Sequence, residues 1–211
     1  MDLVLDGAEL SIHDLESVAR DNRNVSISDD AWNRIKACRE MIQQKIDAHE
    51  VMYGVTTGIG EFSEVVLTPE QVMNFQKFLV YSHAAGIGEE MPIDVVRGAM
   101  LSRINVHCHG NSGGRPEVTQ LLIDMLNQGV TPVAACKGSV GACGDLSPMS
   151  QIAMAMMGEG DSFYEGKKMS SSDALDAAGL KPIELEARDG LAIINGSNFF
   201  LILIIFITKR V

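Results

Sequence analysis

Positive charge is scarce in this sequence. Lysine and arginine together number 17 against 28 aspartates and glutamates, a formal charge of −11. Nucleic-acid grooves and anionic membrane surfaces want clustered Lys and Arg, so neither partner is expected. Cysteine is sparse too. Cys38, Cys108, Cys136 and Cys143 form no CxxC pair and no small-secreted spacing, so free thiols in a reducing, cytoplasmic compartment are expected. Met1-Asp2-Leu3 opens without the basic region or apolar core of a signal peptide. No apolar run reaches the roughly 20 residues of a membrane-spanning helix. The longest, Phe199 to Ile207, reads as a buried strand or helix, and as an aggregation hazard if nothing covers it. Internal repeats and low-complexity linkers are absent.

What remains is enough for a core. Apolar residues are 46% of 211, a length that suits one large domain or two small ones. Leu3 to Gly7 reads as a strand and turn, with a return strand resuming at Leu10. Ser11 caps a helix to Ala19. Ser28 opens another, whose apolar positions Ala31, Ile35, Cys38, Ile42 and Ile46 share one face to about His49. Tyr53 to Gly60 is too rich in Gly and Thr for a helix and reads as a loop exposing Tyr53. Thr68-Pro69-Glu70-Gln71 starts a helix that must stop near Gly86. Helices follow over 92–106, 117–126 and 170–178, with a hairpin over 162–168. The fold class expected is mainly α with a few short N-terminal and hairpin strands.

The most unusual stretch is Gly138-Ser139-Val140-Gly141-Ala142-Cys143-Gly144-Asp145, followed by Leu146-Ser147-Pro148. Glycines at every third position allow backbone angles closed to other residues. Ser147 and Pro148 read as N-cap and first residue of a helix, whose positive end favours anions. A tight bend at Ala142-Cys143-Gly144 would let the Gly144 nitrogen attack the Ala142 carbonyl. Ring closure with loss of the Cys143 side chain would leave an electrophilic alkene. The plainer reading is a buried cysteine in a glycine-rich connection. A phosphate loop fits poorly: the order is GxxGxxG and no lysine follows.

Other residues carry similar pairs of readings. Tyr53 is an aromatic anchor or a reactive phenol. His83, beside the Gly86 break, is a structural hydrogen-bonder or a site residue. His107-Cys108-His109 lacks further ligands at a recognisable spacing, so no metal is expected. Arg115 is an ion-paired structural residue or a carboxylate holder.

Taken together, these segments resemble the aromatic amino acid ammonia-lyases, a family that includes the histidine, phenylalanine and tyrosine ammonia-lyases and related aminomutases. The resemblance runs through Gly138 to Pro148, Tyr53-Gly54-Val55 with Thr57-Gly58 and Gly60, and Ser82-His83-Ala84-Ala85-Gly86. It continues in Gly110 with Ser112-Gly113 and Arg115-Pro116-Glu117, and in Gly190-Leu191-Ala192 with Asn195-Gly196. It implies that Ala142-Cys143-Gly144 cyclises to 4-methylideneimidazol-5-one (MIO), with Cys143 standing where the family usually has serine. It implies that Tyr53 removes the substrate's β-proton and that Asn195 contacts the electrophile's ring. Asp145 would be positional, and His83 would select a polar-ringed amino acid, L-histidine or L-tyrosine.

The fold implied is the N-terminal portion of the ammonia-lyase fold, without the later long-helix bundle. That bundle brings a further tyrosine, an arginine and an acidic residue that have no counterpart here. The chain accordingly divides into 1–197, the active-site-loop domain, and 198–211, an atypical apolar tail. The function implied is non-oxidative deamination of L-histidine to urocanate and ammonia in histidine catabolism, by a homotetramer. A non-catalytic remnant, a subunit completed by another chain, and a tyrosine ammonia-lyase or aminomutase stand as alternatives.

Overall fold

The computed structural model describes residues 2–138 and 145–208. The chain enters through β1 (Leu3–Leu5) and turns at Gly7 into α1 (Ile12–Ala19). No strand resumes at Leu10. Ser11 caps α1 by accepting from the Asp14 N–H, so the chain is already committed to the helix there. The partner of β1 is instead β2 (Val25–Ile27), in parallel register from Leu3 opposite Val25 to Leu5 opposite Ile27.

Local signals place the next elements. Ser28 accepts from the Ala31 N–H and opens α2 (Asp29–Asp47). A loop with a 3-10 turn at Gly60–Phe62 leads to α3 (Pro69–His83), which begins with a reciprocal capping box between Thr68 and Gln71. Then come β3 (Ile87–Glu90), α4 (Ile93–His107) and α5 (Pro116–Gln128), the last ended by Gly129 in the left-handed region. β4 (Thr131–Pro132) and β5 (Ala135–Lys137) approach the glycine-rich segment, and α6 (Leu146–Met156) leaves it. A hairpin of β6 (Asp161–Tyr164) and β7 (Lys167–Ser170) extends β4 into a three-stranded sheet. The short helices α7 (Ser171–Ala177), α8 (Asp189–Ile194) and α9 (Asn198–Thr208) complete the chain.

Helix α4 is the axis of the core. It is buried on nearly all sides and packs against α1, α5 and α9. A helix buried on most sides must pair the polar groups it carries inside. Helix α4 buries two cations, Arg97 and Arg103, and Arg97 ties neighbouring helices together. The guanidinium donates to Val18 O (2.9 Å) and Ala19 O (3.2 Å) in the last turn of α1, and to Leu126 O (3.1 Å) in the last turn of α5. One cation thus satisfies carbonyls at two helix C-termini, where the dipole favours positive charge.

Gly98 lets α9 approach closely, since a Cβ there would lie 2.9 Å from Ile202 Cγ2. The apolar run therefore forms a helix with Phe199, Ile202 and Phe206 buried, while Phe200, Leu201 and Ile204 face outward. The 18-residue window Asp189–Phe206 has a mean hydropathy of 1.8, and 56% of it is buried inside the fold. It is interrupted between α8 and α9.

The start of α6 also differs from expectation. Asp145, not Ser147, is the N-cap, and Ser147 is buried inside the first turn. Asp145 holds the cap position without a side-chain capping bond; its carboxylate accepts instead from the Phe200 N–H (3.1 Å) at the start of α9. Pro148 remains within the first turn, where its missing N–H costs nothing.

Candidate active site

Strand pairing brings two distant segments together. Antiparallel β3 and β5 place Ile87 opposite Lys137, so Gly86, just after His83, meets Gly138, the last described residue before the tripeptide. The approach is close: a Cβ on Gly138 (φ +143) would lie 2.8 Å from Gly86 Cα and 2.9 Å from Ser147 Oγ. Gln151 of α6 fixes the crossing. Its amide donates to Gly86 O (3.3 Å) and accepts from the Ala135 N–H (2.8 Å). On the other flank, Asp145 holds the start of α9, which follows Asn195 by three residues. The end of α3 and the α8–α9 junction thus converge on the two flanks of residues 139–144. Ala142, Cys143 and Gly144 themselves lie outside the described residues.

Tyr53 stands at the edge of its loop, 60% exposed, and the Gly60 N–H donates to its hydroxyl (3.2 Å). The loop is tied internally by Thr56, whose hydroxyl accepts from the Met52 N–H and donates to Glu50 O. It is tied to the core by Gln76 of α3. The Gln76 amide donates to Gly54 O (3.3 Å) and accepts from the Leu191 N–H (3.1 Å), with none of the residue exposed. One side chain therefore joins the Tyr53 loop to the helix that ends at Asn195. Sequence reasoning missed it. The signal was available: Gln76 shares a face with Val72, Leu79 and Val80, a polar group at a core-facing position that must find partners. Gln76→Leu should lower stability by about 1–3 kcal/mol, because it leaves a buried carbonyl and a buried N–H unpaired. The readout is the urea midpoint, and an unchanged midpoint would show that the amide does not hold the loop.

His83 is the last residue of α3 and is half-buried. Its Nδ1 lies 2.8 Å from Leu79 O. A carbonyl can only accept, so Nδ1 carries a proton, and in the neutral ring Nε2 is left as the acceptor. Asn195 closes α8, its N–H donating to Leu191 O (3.1 Å), and its side chain is exposed.

His107 has a different environment from its neighbours. Its Nε2 donates to Ala192 O and its Nδ1 accepts from the Thr119 hydroxyl, both at 2.9 Å. Burial pushes its pKa down to about 4. Cys108 is buried as well, and burial pushes its thiol up to about 11. His109 faces solvent.

Arg115 is structural. Its Nε donates to Asp189 Oδ2 and its Nη1 to Glu186 Oε1, both at 2.7 Å, and it also reaches Glu184 O.

The model of the aromatic amino acid lyase family matches residues 10–209. Histidine ammonia-lyase from Treponema denticola is 46% identical over 191 residues, which cover 90% of this chain and 38% of that protein. The enzyme of the same name from Alkaliphilus oremlandii is 43% identical over 196 residues, covering 93% and 39%. The chain thus spans about two fifths of the length of these relatives, in their N-terminal part. Among solved structures, histidine ammonia-lyase from Trypanosoma cruzi superposes with a TM-score of 0.90 at 33% identity, over all of this chain and 41% of that one. Ergothionase from Treponema denticola superposes with a TM-score of 0.95 at 31% identity, over all of this chain and 42% of that one. Sequence and mostly helical backbone therefore agree that the chain belongs to the aromatic amino acid lyase family.

Proposed function

We propose that this chain carries part of a histidine ammonia-lyase active site, which eliminates ammonia from L-histidine to give urocanate. The observation that carries the reading is the convergence just described, with His83–Gly86 on Gly138 and the start of α9 on Asp145, at either flank of Ala142-Cys143-Gly144. The surroundings suit a ring made from those three residues. Ser147 Oγ, buried and without a hydrogen bond among the described residues, stands beside Gly138, and the N-terminus of α6 follows directly.

In this reading the Gly144 nitrogen bonds to the Ala142 carbonyl carbon, whose oxygen leaves as water, and Cys143 loses its sulfur as hydrogen sulfide. The MIO ring so formed would supply an electrophile that ordinary side chains lack. Asn195 would hold that ring. Tyr53, kept in place through Gly60 N–H and Gln76, takes the β-proton from the substrate. His83 offers the Nε2 lone pair to the N–H of a substrate imidazole, and a polar ring left without such a partner would be rejected. A cytoplasmic homotetramer is the assembly proposed with it.

Intact mass tests the ring: a deficit of one water plus one hydrogen sulfide is expected, and an unmodified mass overturns it. Incubation with L-histidine should raise urocanate absorbance, and Cys143→Ala should abolish the rise. Absence of turnover above that control would favour a remnant or a subunit completed by another chain. The outward Phe200, Leu201 and Ile204 of α9 are the observation on that side.

A further inference from the structure

Arg188 immediately precedes α8 with φ +78, a left-handed backbone that residues with a Cβ adopt only under strain. Its side chain is half-buried. The Nε donates to Ser112 O (2.8 Å), and among the described residues no carboxylate reaches the guanidinium. Burial pushes its pKa below the usual arginine value, with only the Cys38 thiol opposing. A partly desolvated cation without an anion is an uncompensated cost. Among the described residues its Nη groups make no hydrogen bond, and they form a paired donor fork, the geometry that matches a carboxylate.

The fork lies in a groove of about 240 Å³ between α8 and the end of α4. Arg188, Leu191, Ala192 and Asn195 share one face of α8 at three- and four-residue spacing and form one wall. Arg103, His109 and Asn111 line the opposite side, and no aspartate or glutamate does. Positive and neutral polar groups around a small apolar floor, in a chain of net charge −11, favour an anion here.

We propose that this groove binds a small carboxylate anion, its oxygens taken by Arg188 and its body lying along Leu191 and Ala192 towards Asn195. The groove shares Asn195 with the candidate active site, but the inference does not depend on the elimination chemistry. It also accounts for arginine at a position whose backbone favours glycine.

Calorimetric titration of the chain with acetate tests it by binding alone. Saturable binding is expected, weakened at least tenfold by Arg188→Gly and unchanged by Lys167→Gln in the distant hairpin. Glycine suits φ +78, so the variant should keep its fold. Arg188→Lys, which keeps the charge but not the fork, should fall between, and it carries the comparison if Arg188→Gly unfolds early. Displacement of acetate by L-histidine would assign the groove to the carboxylate of an amino acid, and displacement by inorganic phosphate alone to a free oxyanion. Equal acetate affinity in Arg188→Gly and the parent, or no saturable binding by the parent, overturns the proposal.

Discussion

Asp189→Ala should lower the unfolding free energy by about 3–5 kcal/mol, the usual loss when one partner of a buried ion pair is removed. None of Asp189 is exposed. Its Oδ1 accepts from the Arg115 N–H (2.9 Å), and its Oδ2 accepts from Arg115 Nε (2.7 Å) and the Glu186 N–H (2.9 Å). Arg115 is the N-cap of α5 and Asp189 the first residue of α8, so one carboxylate ties together the starts of two helices. Its removal strands a largely buried guanidinium and two backbone donors at once. Arg115 keeps Glu186, which is partly exposed and so compensates weakly. The urea midpoint should fall with the slope of the transition unchanged. The double variant with Arg115→Ala should cost less than the sum of the singles, because each single change already breaks the same pair. A loss under about 1 kcal/mol for Asp189→Ala would place the anchoring elsewhere.

The second large effect is a loss of stability in acid centred on His107. At pH 7 the imidazole is neutral in the folded and the unfolded chain. Below the ordinary histidine pKa of 6.5 the unfolded ring takes a proton, while the folded ring, buried against Ala192 O, resists until about pH 4. The unfolded state thus binds more protons, and stability falls as pH drops between about 6.5 and 4. A shift of this size corresponds to about 3 kcal/mol by pH 4. Urea unfolding at pH 7 and pH 4.5 should show a steeper loss for the parent chain than for His107→Gln, which cannot titrate. Parallel pH dependence of the two would remove His107 as the cause.

These two residues divide what could be read in advance from what could not. Helix starts were legible where they depend on a few adjacent residues. Ser11, Ser28 and Thr68 cap the helices expected of them, because a cap is a contact between neighbours in the chain. The hairpin at 161–170 follows the same logic. Ser147 is not the cap: that position is Asp145, whose carboxylate is taken by Phe200, 55 residues away, and no local pattern contains that residue. The return strand at Leu10 failed for a related reason: the partner of β1 lies beyond α1, at Val25.

The candidate site divides in the same way. Tyr53, His83, Asn195 and the run from Gly138 to Asp145 carry their family resemblance in ordered motifs, so the sequence by itself determined which segments to consider and which chemistry to expect of them. How His83–Gly86 and the start of α9 meet the flanks of that run was decided only in three dimensions. The deciding groups are Gln76, Gln151, Arg97 and Asp189. Gln76, Arg97 and Asp189 are buried and Gln151 is half-buried, and each has partners among backbone or side-chain groups far away in sequence. A buried polar group announces by its type that it needs partners, but only the folded chain supplies their identity, because burial is what makes an unpaired donor or acceptor costly.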